Sequence, residues 1–287
     1  MKIHLHFFIE EIMKKILLIA GSIFLLFLGG YYYHVQVGNS LYDMQNGRAA
    51  GSHYPVTIRN SDSAGNPAEQ VFTEKPRRVV THELNTFETL ICLGQGDTVI
   101  GTSINTGGKA WKRMKKMYPE EIKKVKIINR YHPDAETVVA ANPDLIIGWK
   151  STFASVLKKP TAWWNERGVR TYVVSTSNHL HDKGRIEDEC RYLDDMGQIF
   201  DVREKTDRMI REIHDELSRT QKLVKGRASQ AVMVVEPEGK AFYNYDNGWV
   251  VGDMVEQLGG YMPAGERRIG YEDLISYNPD VLFVVYF

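Results

Sequence analysis

The chain has 287 residues, with 36 basic and 36 acidic side chains, so its formal charge at neutral pH is zero. That balance excludes a bulk electrostatic partner such as nucleic acid. The length allows two modest domains, and 43% hydrophobic with 25% charged residues is a globular composition, not a disordered one.

At the N-terminus, Lys14-Lys15 precede the apolar run Ile16–Leu28 and then Gly29-Gly30-Tyr31-Tyr32-Tyr33. Continued to Val37, this run reaches membrane length, with the tyrosines at the interface. Residues 1–37 therefore read as an uncleaved signal anchor, with a cleaved signal peptide as the alternative, and the positive-inside rule puts the rest of the chain outside. Met13 is a second candidate start. Residues 38–53 carry little apolar pattern and read as a tether.

Beyond it, Tyr54–Arg59 and Gln70–Thr73 flank the turn segment Asn60–Pro67 as a β-hairpin. Strands are expected at Arg77–Thr81, Thr98–Thr102, Lys126–Asn129, Leu145–Trp149 and Thr171–Ser175. Helices are expected between them at Asn85–Leu93, Lys109–Lys123, Asp134–Ala141 and Thr161–Arg167. This alternation indicates a mostly parallel sheet with helices on both faces. A helical stretch follows, with Ile186, Cys190, Leu193 and Met196 at helical spacing. A break at Phe200-Asp201 leads into Asp201-Val-Arg-Glu204, which has capping-box form. The helix expected over 202–225 is long enough to act as a strut. The second unit has strands at Ala231–Val235 and Val281–Tyr286, with helices at Gly252–Leu258 and around Glu272. The last strand lacks a covering helix, so this unit is expected to be incomplete. Cys92 and Cys190, the two cysteines, are expected as buried free thiols, although a disulfide is permitted outside the cytoplasm.

One short pattern occurs twice. Glu136 stands six residues before Asn142-Pro143-Asp144 and the apolar run Leu145–Ile147; Glu272 stands six before Asn278-Pro279-Asp280 and Val281–Val285. Such self-similarity suggests two similarly built units. Pro76-Arg-Arg-Val-Val80, Glu88-Thr-Leu-Ile-Cys-Leu-Gly94 and Gly96-Asp-Thr-Val-Ile-Gly101, with the two Asn-Pro-Asp segments and the long helix, resemble the substrate-binding proteins of ABC importers for iron–siderophores, cobalamin and haem. The resemblance covers roughly residues 54–287. It implies an α/β fold of two Rossmann-like lobes with mostly parallel sheets, 54–185 and 227–287, joined through the helical connection 186–226. It further implies that Glu136 and Glu272 dock onto arginines of the permease subunits. The competing reading is that an acidic residue in a helix's first turn is favoured by the macrodipole alone.

The resemblance also places a ligand between the lobes, where loops follow the carboxyl ends of strands. Arg130 matches a ligand-facing position, against the alternative of a solvated loop charge. Trp149 and Lys150 sit just past a strand end. Tyr243, Tyr245 and Trp249 read as a loop cluster, either lining a pocket or packing a lobe edge. His82 and Asn85 follow the first strand. His179, His181, Tyr131 and His132 are solvated loop residues on this reading, with no metal set completed. The sequence contains no dinucleotide, P-loop, G-x-S-x-G or H-E-x-x-H motif, so no catalytic residue is assigned. The expectation is a monomeric, membrane-anchored, extracytoplasmic binder of a metal chelate, foremost a ferric siderophore, with no cofactor of its own. Cobalamin or haem binding, a two-lobed α/β enzyme and a membrane-anchored sensor are the alternatives.

Overall fold

The computed structural model describes residues 53–125, 127–129, 133–176 and 183–285. The expected anchor (1–37) lies outside them, as do Arg130, Tyr131, His132, His179 and His181. No helix among the described residues is long and apolar enough to cross a membrane.

Strands β1 (Val56–Ser61) and β2 (Pro67–Phe72) form the antiparallel hairpin. Its turn is closed by Asp62, whose Oδ1 accepts from the amides of Ala64 and Asn66 at 2.8 Å each. The Asn60 side-chain amide both donates to Val173 O (2.9 Å) and accepts from Val173 N–H (2.8 Å). The hairpin thereby covers the outer strand of the adjoining sheet, which would otherwise offer unpaired backbone groups.

That sheet comprises β3 (Val79–His82), β4 (Val99–Ser103), β5 (Ile127–Asn129), β6 (Leu145–Gly148) and β7 (Arg170–Val173), all parallel, in the order β5-β4-β3-β6-β7. Between them run α1 (Leu84–Cys92), α2 (Lys109–Met117), α3 (Pro119–Lys124), α4 (Ala135–Ala140) and α5 (Thr161–Asn165). Every residue of β3 and β6 is buried, as parallel strands covered on both faces require. Val80, Val138, Ile146, Phe153, Leu157, Trp164 and Val173 form one core cluster. The single basic helix expected over Lys109–Lys123 is two. Pro119 disfavours helical backbone at Tyr118, which adopts φ −128°, and starts α3.

Glu88 on α1 is half-buried, and its burial pushes the carboxyl pKa up to about 7 against the opposing charge of Arg113. The folded chain therefore holds a proton there that the unfolded chain has lost above pH 4.5. Stability from this group is complete below pH 4.5 and is lost as pH rises through 7. Glu88→Gln is expected to raise the urea midpoint at pH 8 and leave it nearly unchanged at pH 4; an unchanged midpoint at both would refute this assignment.

The connection consists of α6 (Ile186–Ile199) and α7 (Arg203–Val224). The capping box expected at Asp201–Glu204 does not form. Asp201 takes a left-handed φ of 53°, which makes Val202 the cap residue, without a side-chain bond. The Asp201 carboxylate lies 3.3 Å from His53 Nδ1 instead. His53 Nε2 reaches Gln198 O and Tyr54 OH donates to Ile199 O, both at 2.7 Å, satisfying carbonyls that the end of α6 leaves open. The 22 residues of α7 span about 33 Å.

The second sheet contains β8 (Val232–Glu238), β9 (Ala241–Asn244), β10 (Arg268–Ile269) and β11 (Val281–Val284), in the order β10-β9-β8-β11, with α8 (Val250–Gln257) and α9 (Tyr271–Tyr277). It is mixed, not mostly parallel: β8 and β11 are parallel, whereas β9 is antiparallel to both its neighbours. The β8–β9 turn is Gly239-Lys240, with Gly239 at φ 66°, a two-residue hairpin that needs a residue tolerant of positive φ. Along β8, Val232 and Val234 pack with Val255 of α8, while Met233 and Val235 pack with Phe242 and Ile269 and against Leu274 of α9. The cysteines are free: Cys92 is half-buried and Cys190 buried.

Candidate functional site

In the first sheet, the chain leaves β3 towards β4 and β5 on one side and later returns to β6 and β7 on the other. The carboxyl ends of β3 and β6 therefore flank a topological switch point, where open α/β sheets form their ligand crevices. His82 ends β3, and Gly148 ends β6 one residue earlier than expected, ahead of Trp149 and Lys150. A π-helical turn, Thr152–Val156, follows. The buried Thr152 hydroxyl ties the two strand ends together, accepting from the Trp149 amide at 2.8 Å and lying 2.7 Å from His82 Nδ1. Only glycine fits at 148, since a Cβ there would stand 2.6 Å from Thr152 Oγ1. Glu83, immediately after His82, holds a left-handed φ of 77° and donates its amide to Ser103 O at 3.1 Å. A non-glycine residue in that region stores strain, which clusters at binding sites.

The expected site residues here divide by exposure. Trp149 and Lys150 are half-buried, and Asn85 is exposed on the first turn of α1. Trp149 Nε1 is buried without a hydrogen-bond acceptor, an N–H donor whose desolvation is uncompensated within the protein. His82 is 1% exposed and supports Thr152 from below. Thr152 carries no spacing signal in the sequence; a glycine closing a buried strand, four residues ahead of it, is the available cue. Thr152→Val removes both hydrogen bonds at constant volume. It is expected to lower unfolding free energy by about 1–3 kcal/mol, measured by urea denaturation, and a loss near zero would refute the bridging role.

The second candidate cluster is aromatic. Tyr243 lies in β9, not in a loop; Tyr245 follows the strand, and Trp249 is the N-cap residue of α8. Their ring centroids are 5.1, 5.5 and 6.3 Å apart in edge-on pairs, the arrangement that ring quadrupoles favour. Tyr245 OH donates to Glu236 Oε2 at 2.9 Å; burial first, and then this carboxylate, push its pKa well above the ordinary range. The loop is pinned on several sides. Asp246 Oδ1 accepts from Gly248 N–H at 2.8 Å, and Gly184 donates its amide to Gly248 O at 2.8 Å. A Cβ on Gly252 would stand 2.5 Å from Asn247 Cα.

The repeated pattern resolves into two parts. Asn142 and Asn278 take left-handed φ values of 50° and 45°, stopping α4 and α9. Asp144 then accepts from the amides of Arg77 (2.7 Å) and Arg78 (3.1 Å) at the approach to β3, and Asp280 accepts from Ala231 N–H (2.8 Å) at the approach to β8. In each sheet the strand after the motif lies beside the sheet's first parallel strand. Asn-Pro-Asp is thus a clasp: a helix stop followed by a carboxylate that fixes the neighbouring strand's start. Glu136 and Glu272 stand exposed in the first turns of α4 and α9. Three residues on, each helix presents an apolar side chain to solvent, Val139 (48% exposed) and Ile275 (76%).

Two α/β sheets with matched Asn-Pro-Asp clasps, joined through a long helix, fit the class of solute-binding proteins. Within that class, the chain belongs to the periplasmic binding protein family, whose model matches residues 79–286, and it is a binding protein, not an enzyme. It is 20% identical over 239 residues to the uncharacterized ABC transporter substrate-binding lipoprotein YvrC of Bacillus subtilis, covering 80% of this chain and 68% of that one. A periplasmic binding protein from Veillonella parvula superposes with a TM-score of 0.70 at 28% identity, over 81% of this chain and 73% of that one. An ABC-type Fe3+-hydroxamate transport system structure from Saccharomonospora viridis gives 0.64 at 17% identity, over 81% and 80%; at that identity the likeness is one of fold.

Proposed function

We propose that the protein is the extracytoplasmic solute-binding component of an ABC importer, which captures a metal chelate, foremost a ferric siderophore, and hands it to the permease. In this reading, residues 54–185 and 227–287 are two lobes bridged by 186–226, and the ligand lies between the switch point of the first sheet and the aromatic cluster of the second. The observation that carries it is the matched pair of exposed carboxylates, Glu136 and Glu272, each at the same offset from an Asn-Pro-Asp clasp. Carboxylate–guanidinium pairs fix docking register, and the exposed Val139 and Ile275 add an apolar contact beside each. The lipoprotein relative supports an extracytoplasmic, membrane-attached location, with residues 1–37 as the anchor. The Fe3+-hydroxamate structure supports a ferric ligand.

Lys150 and Arg130 supply positive charge for an anionic chelate, the Trp149 indole N–H a hydrogen bond, and Tyr243, Tyr245 and Trp249 an apolar wall. Asn85 adds a polar group at the rim, and His82 acts beneath it. Haem or cobalamin in the same role is the second reading, favoured by the edge-on aromatic cluster, which suits a large planar ligand. Titration of the chain with a ferric hydroxamate, cobalamin and haem is expected to give saturable quenching of tryptophan fluorescence with the ferric chelate. Saturation by cobalamin or haem alone moves the assignment to the second reading. Failure with all three ends the chelate assignment.

A further inference from the structure

We propose that Glu187, Cys190 and His214 form a binding site for a borderline-soft divalent cation, zinc above all, on the surface where α6 and α7 approach α8. Glu187 and Cys190 are three residues apart on α6 and so share one face; His214 reaches them from α7. Their ligand atoms, a carboxylate oxygen, Sγ and Nε2, lie within 4.8 Å of one another. Cys190 Sγ is 3.7 Å from His214 Nε2. A tetrahedral zinc with Zn–S of about 2.3 Å and Zn–N of about 2.0–2.1 Å requires about 3.6 Å for that edge. The His214 Nε2 to Glu187 Oε1 distance is 2.9 Å, a hydrogen bond. The matching tetrahedral edge is about 3.3 Å, so a small opening of two exposed side chains admits the ion.

The chemistry of the set is consistent. A thiolate, a carboxylate and a neutral imidazole give a dication a site of zero net charge. A coordinating cation deprotonates the buried Cys190 thiol. Glu187 and His214 line an open depression of about 320 Å3 together with Ser218, Gln221 and Gln257, which leaves room beside them for a water ligand. The site shares no residue with the strand-end and aromatic clusters, and its loading would fasten the long helix to α6. The separation of 24 positions between Cys190 and His214 conceals it from any spacing motif.

The chain has two cysteines, which makes the test specific. The full chain carrying Cys92→Ser is titrated with Co2+. The expected result is sulfur-to-cobalt charge-transfer absorption with the visible bands of four-coordinate cobalt, displaced by Zn2+. Adding Cys190→Ser should abolish the charge-transfer band, and His214→Ala or Glu187→Gln should weaken cobalt binding about tenfold or more. If Cys92→Ser does not fold, the comparison runs between the parent chain and Cys190→Ser, where the band must vanish. Zinc should also raise the thermal midpoint of the parent and not that of Cys190→Ser. Absence of the charge-transfer band in the folded parent, or unchanged cobalt affinity in His214→Ala, overturns the assignment.

Discussion

The double reversal Glu136→Arg with Glu272→Arg is expected to abolish import while leaving ligand binding intact. Both carboxylates are exposed in the first turns of short helices and belong to neither the strand-end nor the aromatic cluster, so neither should alter the ligand titration. Their loss within the fold costs at most the macrodipole contribution, about 0.3–1 kcal/mol each. At a docked interface the loss is larger. Removing one partner of a buried charge pair costs about 2–5 kcal/mol, and reversal adds repulsion. Two such losses correspond to a fall in docking affinity of at least about 700-fold. Each single reversal should retain partial uptake, and Val139→Ser with Ile275→Ser should lower it less than the charge reversal. The readout is uptake of the radiolabelled chelate by cells expressing the variant, alongside fluorescence titration of the purified chain. Uptake at the parental rate in the double variant would remove the docking role and leave a binding or sensing protein without a permease.

Among the described glycines, an added methyl meets backbone most closely at Gly252, so Gly252→Ala should be strongly destabilising. The added Cβ would stand 2.5 Å from Asn247 Cα and 2.9 Å from Asn247 O, both backbone atoms that no side-chain rotation can move. Either α8 shifts or the loop between Tyr245 and Trp249 lifts off it. Overpacking of this kind costs about 1–3 kcal/mol, occasionally more, and the upper end is expected because backbone must move. Since Tyr245 and Trp249 ride on that loop, ligand affinity should fall together with the denaturation midpoint. Stability lost with affinity retained would show that the aromatic cluster does not contact ligand.

The two sheets differ in how far the sequence discloses them. Strands β3 and β6 are buried on both faces, so Val79-Val80 and Leu145–Ile147 stand out as apolar runs against charged helices. Strands β9 and β10 do not: Ala241–Asn244 is four residues long, and Arg268–Ile269 is too short to carry any period. They form the antiparallel half of the second sheet, and with so short a strand Tyr243 looks like a loop residue in the sequence. At Asp201 a local capping pattern lost to a left-handed backbone and a contact with His53, a partner 148 positions away by residue number. The placement of Trp149 and Lys150 followed from the rule that ligands gather beyond parallel strand ends. The Thr152 bridge and the Glu187–Cys190–His214 set did not, because both join residues distant in sequence. The Asn-Pro-Asp repeat was visible because it occurs twice; the amides it clasps were not.

Those clasps bear on the order in which the chain folds. Asp144 closes a loop of 66 residues back to Arg78, and Asp280 one of 49 back to Ala231. The two closures differ in entropic cost by only about 0.3 kcal/mol, so neither nucleus has a head start from chain length. The loops share no residue, and each contains the first strand of its own sheet. As the chain emerges, the first sheet can therefore complete its parallel pairing before Ala231 is available, and a failure at the second clasp need not unravel the first.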